Sequence, residues 1–252
     1  MKTKSLILIG ALTATTCICG RQAVKAANPP NSADARTGSA AVKGKITYDG
    51  KLPKPAAISM AADPSCSKQH TSPVGSQEVL TDAQGELQNV IVFVADGLGD
   101  RTFDPPTQPE VIEQKGCMYQ PHVLAVRANQ QLEVINDDPT SHNIHVIPTN
   151  NREWNKAEPP GAKIDEAFAR EEIAIPVKCN IHPWMRSYVA VFKHPYFTVT
   201  GKDGSFDLSN LPPGTYTIEA WHEKLGTATQ KITVAANETK ALDFVFKQRP
   251  GS

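Results

Sequence analysis

The sequence lacks the basic excess that nucleic-acid-binding proteins carry. Lysine plus arginine and aspartate plus glutamate each number 26 in the 252 residues. Four of the basic residues and none of the acidic ones lie within residues 1–26, so the rest of the chain has four more acidic than basic residues. A chain with this balance offers no strongly electropositive surface for a phosphate backbone. We therefore expect no nucleic-acid partner.

Long apolar runs and long-period repeats are also missing. The apolar stretch near residues 6–14 is short and interrupted by threonine and glycine, so it does not fit a membrane-spanning helix. It follows two lysines and precedes the small-residue segment Val24-Lys25-Ala26, which is typical of a cleaved signal peptide over residues 1–26. The sequence has no heptads and no Gly-rich phosphate loop, which argues against a coiled coil and a P-loop nucleotide site.

A signal peptide directs the mature chain to the periplasm or to the outside of the cell. Cys17 and Cys19 lie near the end of this segment, and acylation of either would anchor the chain to a membrane. Neither follows the usual Leu-x-(Gly/Ala) context of an acylated cysteine, which favours cleavage and release. The polar residues 27–40 then predict a linker.

Proline and glycine punctuate the remaining sequence. Twenty prolines and sixteen glycines alternate with short Val/Ile-rich runs, a pattern that favours strands and turns over long helices. We predict an all-β chain, with a small antiparallel β-sandwich over residues 196–249, where short strands alternate with turn signals. Only short helical turns are expected, near residues 111–114 and 165–169.

Cysteine is scarce, but one of the five cysteines lies among metal-binding side chains. Cys179, His182 and Met185 form a Cys-x2-His-x2-Met motif at the end of a predicted strand. Thiolate, imidazole and thioether are the ligands that copper takes in electron-transfer sites. Such a site needs a second imidazole, and His142 in an upstream strand-like segment is available. We predict one mononuclear type 1 copper site formed by these four residues.

Residues beside the four ligands are expected to hold them in place. Pro183 stiffens the turn of the cysteine loop by fixing its φ angle. Asn143 directly follows His142 and is placed to bind the backbone of the cysteine loop. His145 is the alternative first histidine, but it lies three residues from His142 and so faces the other side of a regular strand. We interpret His145 as a structural or surface residue.

The other cysteines of the mature chain have two interpretations. If Cys179 binds metal, Cys66 and Cys117 are left to form a disulfide in an oxidising compartment. The alternative is a second metal site formed by these two cysteines with His70 and His122, because the Cys-x3-His and Cys-x4-His spacings permit one. Zinc at Cys179 is disfavoured, since thioether is a poor zinc ligand and no second thiolate is near in sequence.

The copper motif and its upstream histidine segment resemble the cupredoxin family. Cys179-x-x-His182-Pro183-x-Met185 and Ser141-His142-Asn143-Ile144-His145 are most similar to the amicyanin and plastocyanin branch, and the likeness covers residues 119–193. The resemblance implies a cupredoxin-like Greek-key β-sandwich over residues 41–195 with one type 1 copper. The ligands it implies are His142, Cys179, His182 and Met185.

Residues 196–249 resemble a different group, the transthyretin-like, carboxypeptidase-regulatory-like β-sandwich modules. The pattern runs from Asp203-Gly204 through Leu211-Pro212-Pro213-Gly214 to Tyr216. The early segment Gly44-Lys45-Ile46-Thr47 is similar to the first strand of the same module. The copper unit is therefore either inserted into this module or placed before it, and the sequence leaves both arrangements open. Such modules are usually structural or binding units without catalysis.

Together these features predict a blue-copper electron carrier that exchanges electrons with a protein donor and a protein acceptor. We expect no enzyme, since an oxidase would need a second or trinuclear copper centre, and the sequence has none of the His-x-His pairs that build one. Two alternatives remain at this stage. One is copper sequestration or delivery, and the other is a β-sandwich surface-binding module with a vestigial metal site.

Overall fold

The computed structural model describes residues 38–248 of the chain. The predicted signal peptide, Cys17, Cys19 and residues 27–37 of the predicted linker lie outside the described residues. Ala40, the last residue of that linker, already belongs to the first strand. Within the described range the chain is all-β, as predicted, with one four-residue helix, α1 (Pro64–Ser67). None of the described residues forms a helix with the length and apolar character needed to cross a membrane.

Seventeen strands within residues 38–248 build two β-sandwiches. The terminal sandwich takes strands from both ends of this range: β1 (Ala40–Asp49), β2 (Ile91–Asp96), β12 (Phe197–Val199), β13 (Ser205–Leu211), β14 (Gly214–His222), β15 (Gly226–Val234), β16 (Thr239–Ala241) and β17 (Phe244–Lys247). The inner sandwich takes the strands between them: β3 (Glu110–Gln114), β4 (Tyr119–Gln120), β5 (Val123–Arg127), β6 (Gln131–Asn136), β7 (His142–Val146), β8 (Trp154–Glu158), β9 (Lys163–Ala167), β10 (Glu172–Lys178) and β11 (Arg186–Phe192).

Each sandwich packs two sheets over its own apolar core. The terminal sheets have the orders β13-β1-β16, with β17 also paired to β1, and β12-β2-β14-β15. The inner sheets have the orders β5-β11-β10-β7-β8 and β4-β3-β6-β9. Alternation along the strands directs the core residues inwards, as in β14, where Tyr216, Ile218 and Ala220 are buried at every second position.

The inner sandwich interrupts the terminal one. β2 and β12 are antiparallel neighbours, with Phe93 opposite Phe197, and the Val94 amide donates a hydrogen bond to the Tyr196 carbonyl at 3.0 Å. The chain therefore leaves the terminal sandwich and returns to it at adjacent points. β1 and β2 pair with C-terminal strands and not with the copper segment, where a boundary at residue 41 would put them. We propose that the inner sandwich is an insertion, one of the two arrangements left open above.

A third apolar cluster connects the two sandwiches. Phe93 on β2 packs with Phe192 on β11, and their ring centroids are 5.0 Å apart. Phe197 on β12 stacks on the same Phe192 ring at 4.6 Å. Burying these rings together favours a fixed contact between the two sandwiches.

Two segments predicted as helical turns are strands. Residues 111–114 lie in β3 and residues 165–167 lie in β9, and both strands pair with β6. Ile112 is fully buried in the inner core and Ile164 packs against that core. The helical prediction was wrong because these strands gain sheet hydrogen bonds and core contacts, which outweigh local propensity.

Candidate metal centre

Two adjacent strands of the inner sandwich carry the predicted ligands. β7 begins at His142, and β10 ends at Lys178, one residue before Cys179. The two strands pair antiparallel, with Lys178 opposite His145, so the cysteine loop begins beside the first histidine. The loop folds back tightly, because the Cys179 amide donates to the Met185 carbonyl at 3.2 Å.

The structure brings three of the four predicted ligands to one point. His142 Nδ1 lies 2.9 Å from His182 Nδ1, and Cys179 Sγ lies 3.9 Å from the same His182 atom. One ligand atom from each of the three residues lies within 4.8 Å of the others. None of the three is more than 2% exposed. Met185, the fourth predicted ligand, is fully buried in the same core cluster as Cys179.

A carboxylate contacts the Nε2 atom of each imidazole, on the side of the ring away from the other histidine. Asp138 Oδ2 lies 2.8 Å from His142 Nε2, and Asp63 Oδ2 lies 2.9 Å from His182 Nε2. The hydrogen bond from His182 lowers the pKa of Asp63. Burial raises the pKa of Asp138, but hydrogen bonds from His142 and backbone amides lower it further than burial raises it. Because an ionised carboxylate only accepts hydrogen bonds, each Nε2 carries the proton.

The two Nδ1 atoms consequently face each other across a gap that needs a cation. Two nitrogen lone pairs at 2.9 Å repel each other unless a proton or a metal ion lies between them. A buried thiol beside this gap completes a nitrogen, nitrogen and sulfur donor set. Nitrogen and thiolate donors of this kind fit copper, so the residues present suit the metal that the sequence predicts.

Polar groups around the sulfur lower its pKa. Burial raises the pKa of Cys179, but hydrogen bonds from His142 and the backbone more than offset this and bring it to about 6. Burial lowers the pKa of His142, while Asp138 and Cys179 raise it to about 9 overall. Without metal the site therefore favours a thiolate beside an imidazolium at neutral pH. A metal ion would take the place of the imidazolium proton.

Asn143 links the two ligand segments. Its side-chain oxygen accepts a hydrogen bond from the Asn180 amide at 2.7 Å and lies 3.4 Å from Cys179 Sγ. This is the loop contact expected from the sequence. Pro183 lies exposed in the loop, and its carbonyl accepts a hydrogen bond from Arg186 Nε at 3.4 Å. His145 lies outside the cluster, where its Nε2 contacts Glu153 Oε1 at 2.7 Å.

Cys66 and Cys117 form a disulfide, as predicted. The alternative metal site with His70 and His122 is therefore wrong. His70 Nε2 instead lies 2.7 Å from the Gly116 carbonyl oxygen, and His122 Nε2 contacts the Glu223 carboxylate.

Trp184 packs beside the cluster. Its ring centroid lies 5.1 Å from that of His182, and its indole N–H donates to the Cys117 carbonyl at 3.0 Å. The indole is half-buried, so the contacts support a packing role. His194 and His222 are buried outside this cluster, and burial lowers the pKa of each to about 4.

Asp63 and Asp138 are the residues that the sequence reasoning missed. Asp138 lies four residues before His142, at the turn that leads into β7, which is a usable local signal. Asp63 lies 119 residues from His182 in the sequence. No local pattern connects this pair, so only the fold reveals it.

Comparison with known proteins gives partial matches. The carboxypeptidase regulatory-like domain family matches residues 187–247, beginning within β11 of the inner sandwich. No curated protein matches the chain. The Cu-containing nitrite reductase of Thermus scotoductus SA-01 is 19% identical with a TM-score of 0.33, and the match covers 38% of this chain and 25% of the reductase. This chain therefore spans about a quarter of that protein's length.

Two smaller proteins match over most of their own length. A purple cupredoxin from Nitrosopumilus maritimus is 23% identical with a TM-score of 0.29, covering 32% of this chain and 98% of its own. An oxidised amicyanin variant is 18% identical with a TM-score of 0.30, covering 40% of this chain and 90% of its own. At these scores the likeness carries no functional argument. The family match agrees with the predicted carboxypeptidase regulatory-like module.

Proposed function

We propose that this protein is an electron carrier of the periplasm or the extracellular space, with one type 1 copper held by His142, Cys179, His182 and Met185. The observation that carries the proposal is the pair of Nδ1 atoms 2.9 Å apart beside a buried thiol. Both imidazoles are hydrogen-bonded to carboxylates through Nε2, so both leave Nδ1 free for a metal.

The ligand residues have separate roles. The two imidazoles and the Cys179 thiolate would bind the ion, and the Met185 thioether would be a weaker fourth donor. Bound copper would cycle between Cu(II) and Cu(I), accepting and passing on one electron. The residues hold their geometry because His142 belongs to β7, while Asn143 ties that strand to the cysteine loop. A site that rearranges little between oxidation states transfers electrons quickly.

The test is a visible and electron paramagnetic resonance spectrum of the protein loaded with Cu(II). We expect an intense thiolate-to-copper absorption that disappears in Cys179→Ala and His142→Ala. His145→Ala is the matched control, since His145 lies on the same strand and contacts Glu153 instead of the cluster. A native protein without the absorption, or its survival in Cys179→Ala, would reject the proposal.

Copper sequestration is a second candidate, favoured by the burial of the site. His142, Cys179 and His182 are each at most 2% exposed, and Asp63 covers the Nε2 atom of His182. A covered ligand edge suits retention of an ion as well as electron transfer. Voltammetry separates the two, because a carrier gives a reversible one-electron couple and a storage protein does not.

The electron donor and acceptor in this proposal are other redox proteins. No catalysed reaction is proposed. The Cys66–Cys117 disulfide is consistent with an oxidising compartment, in which such bonds persist.

A further inference from the structure

Each carboxylate behind the histidines makes a second set of contacts. Asp63 Oδ1 accepts a hydrogen bond from the Ser65 amide at 2.7 Å and so caps α1, while Oδ2 faces His182. Asp138 accepts hydrogen bonds from the backbone amides of Gly116 at 2.6 Å and Cys117 at 2.8 Å. The same carboxylate contacts His142 Nε2. Each carboxylate therefore joins one imidazole to a short backbone segment.

The two backbone segments are joined by the disulfide. Cys66 belongs to α1, which Asp63 caps, and Cys117 supplies an amide to Asp138. Cys66 Sγ also lies 3.6 Å from His182 Nε2. An unbroken series of contacts thus runs from His182 through Asp63, the disulfide and Asp138 to His142.

The helix depends on this connection for its position. Cys66 is the only buried residue between positions 61 and 70. The side-chain contacts that hold this stretch to the inner sandwich are the disulfide, the bond of Asp63 with His182 and contacts of His70 and Gln69 with residues 116–117. Of these contacts only the disulfide is covalent, and it ties α1 to the residue whose amide Asp138 accepts.

We infer that Asp63, Asp138 and the Cys66–Cys117 disulfide form one clamp that positions both imidazoles of the metal centre. We call this set the carboxylate clamp. Its members are positioning residues, since they act through His142 and His182. The inference rests on the proposed copper function for its metal readout, but the orientation of the rings is measurable without copper.

The clamp has an electrostatic consequence as well as a geometric one. Two carboxylates close behind the ligands stabilise the more positive Cu(II) state over Cu(I). Loss of one carboxylate should therefore raise the reduction potential. If Cu(II) binding alone weakens about tenfold, the rise is about 59 mV for one electron.

The first experiment uses copper-free full-length protein and nuclear magnetic resonance of the ring N–H protons. We expect a protected His182 Nε2–H signal in the native chain, because its bond to Asp63 slows exchange with water. Asp63→Ser retains an oxygen that caps α1 but is too short to reach His182, so this signal should be lost. Ser65→Ala is the matched control on the same helix, and it should keep the signal.

The second experiment measures Cu(II) affinity and reduction potential for the same variants. We expect Asp63→Ser to weaken Cu(II) binding about tenfold or more and to raise the potential, with Ser65→Ala unchanged. If Asp63 serves only as a helix cap, Asp63→Ser will keep the native ring signal, affinity and potential, and the clamp is rejected. If neither the native chain nor the variants bind copper, the proposed function is rejected. The ring N–H signal alone then tests whether the clamp exists.

The third experiment opens the disulfide with the double substitution Cys66→Ser and Cys117→Ser. We expect loss of the His182 ring signal and a drop in Cu(II) affinity like that of Asp63→Ser. Near-ultraviolet circular dichroism confirms that the variant is folded, and if it is not, the Asp63→Ser result decides. A folded double variant with native ring signals and native affinity would remove the disulfide from the clamp and overturn the inference as stated.

Discussion

The chemistry of the candidate centre depends on which nitrogen of each imidazole carries a proton. Asp63 and Asp138 accept hydrogen bonds from the two Nε2 atoms and so fix the tautomer of each ring. Residues that are not themselves metal donors therefore determine which nitrogen faces the metal. The sequence could assign Cys179 and His182 to one candidate site because they lie three residues apart in the chain. It did not predict Asp63, because a contact between residues 63 and 182 has no local signature.

Glu158 is a second buried acid beside the cluster, and it makes stability depend on pH. It is fully buried at the end of β8, opposite His142. Gln114 donates a hydrogen bond to Oε2, while Oε1 has no partner among the described residues. Burial raises the pKa of Glu158 from 4.5 to about 7. The folded state therefore holds a proton that the unfolded chain releases above pH 4.5.

The sign of the effect follows from this difference. As pH rises from 4.5 to 7, Glu158 should lower the free energy of unfolding by up to about 3 kcal/mol, with no further change above pH 7. Glu158→Gln should remove this contribution, so the variant gains stability relative to the native chain as pH rises through this range. Urea unfolding of copper-free protein at pH 5 and pH 8 measures it, with the exposed Glu171→Gln as control. Equal pH dependence in native and Glu158→Gln protein would contradict the prediction.

At the scale of single elements, β1 changes partner at its centre. It pairs with β16 through residues 41–43 and with β17 through residues 46–49. Between these stretches the carbonyl oxygen of Leu242 reaches the position of Gly44, and a Cβ there would lie 1.8 Å from it. Glycine is therefore required by close approach of the backbone, and not by its φ angle.

Gly44→Ala should consequently destabilise the protein by about 3 kcal/mol or more, because a backbone atom must move to make room. Gly201→Ala is the matched control, since its added Cβ would meet only Asp203 Oδ1, at 3.8 Å. Chemical unfolding of both variants measures the difference. If both variants lose little free energy of unfolding, the backbone at Leu242, between β16 and β17, moves aside at little cost.

Elements were predictable where the hydrophobic pattern is strong and local. The strand that leads to Cys179 and the turn that follows it were read correctly, since alternation and proline mark them. β3 and β9 were missed because their burial comes from β6, which lies elsewhere in the sequence. The four-residue α1 was also missed, since it is held in place by a disulfide and a capping carboxylate more than by its own propensity.

At the scale of the whole molecule, the sequence predicted two sandwiches but left their connection open. The similarity of residues 44–47 to the start of the C-terminal module was the correct clue to the pairing of β1 with β13 and β17. Nothing in the sequence predicted the apolar cluster between the two sandwiches. Phe93, Phe192 and Phe197 are each ordinary core residues in sequence, and only the fold brings their rings together.

This shared cluster should make the two sandwiches unfold together. Phe192 is fully buried and contacts rings from both β2 and β12, so it belongs to the contact between the cores. Phe192→Ala should cost about 3–5 kcal/mol and weaken the coupling between the sandwiches. In calorimetry we expect one transition for the native chain and two for Phe192→Ala.

Under the proposed function, added copper would distinguish these two transitions. A ligand stabilises only the unit that folds with it, so copper should raise the midpoint of the whole native transition but of only one transition in Phe192→Ala. Phe206→Ala is the control, because Phe206 is buried within the terminal core alone and its loss should lower stability without separating the sandwiches. A single transition in Phe192→Ala that still shifts as a whole with copper would mean that other contacts couple the sandwiches.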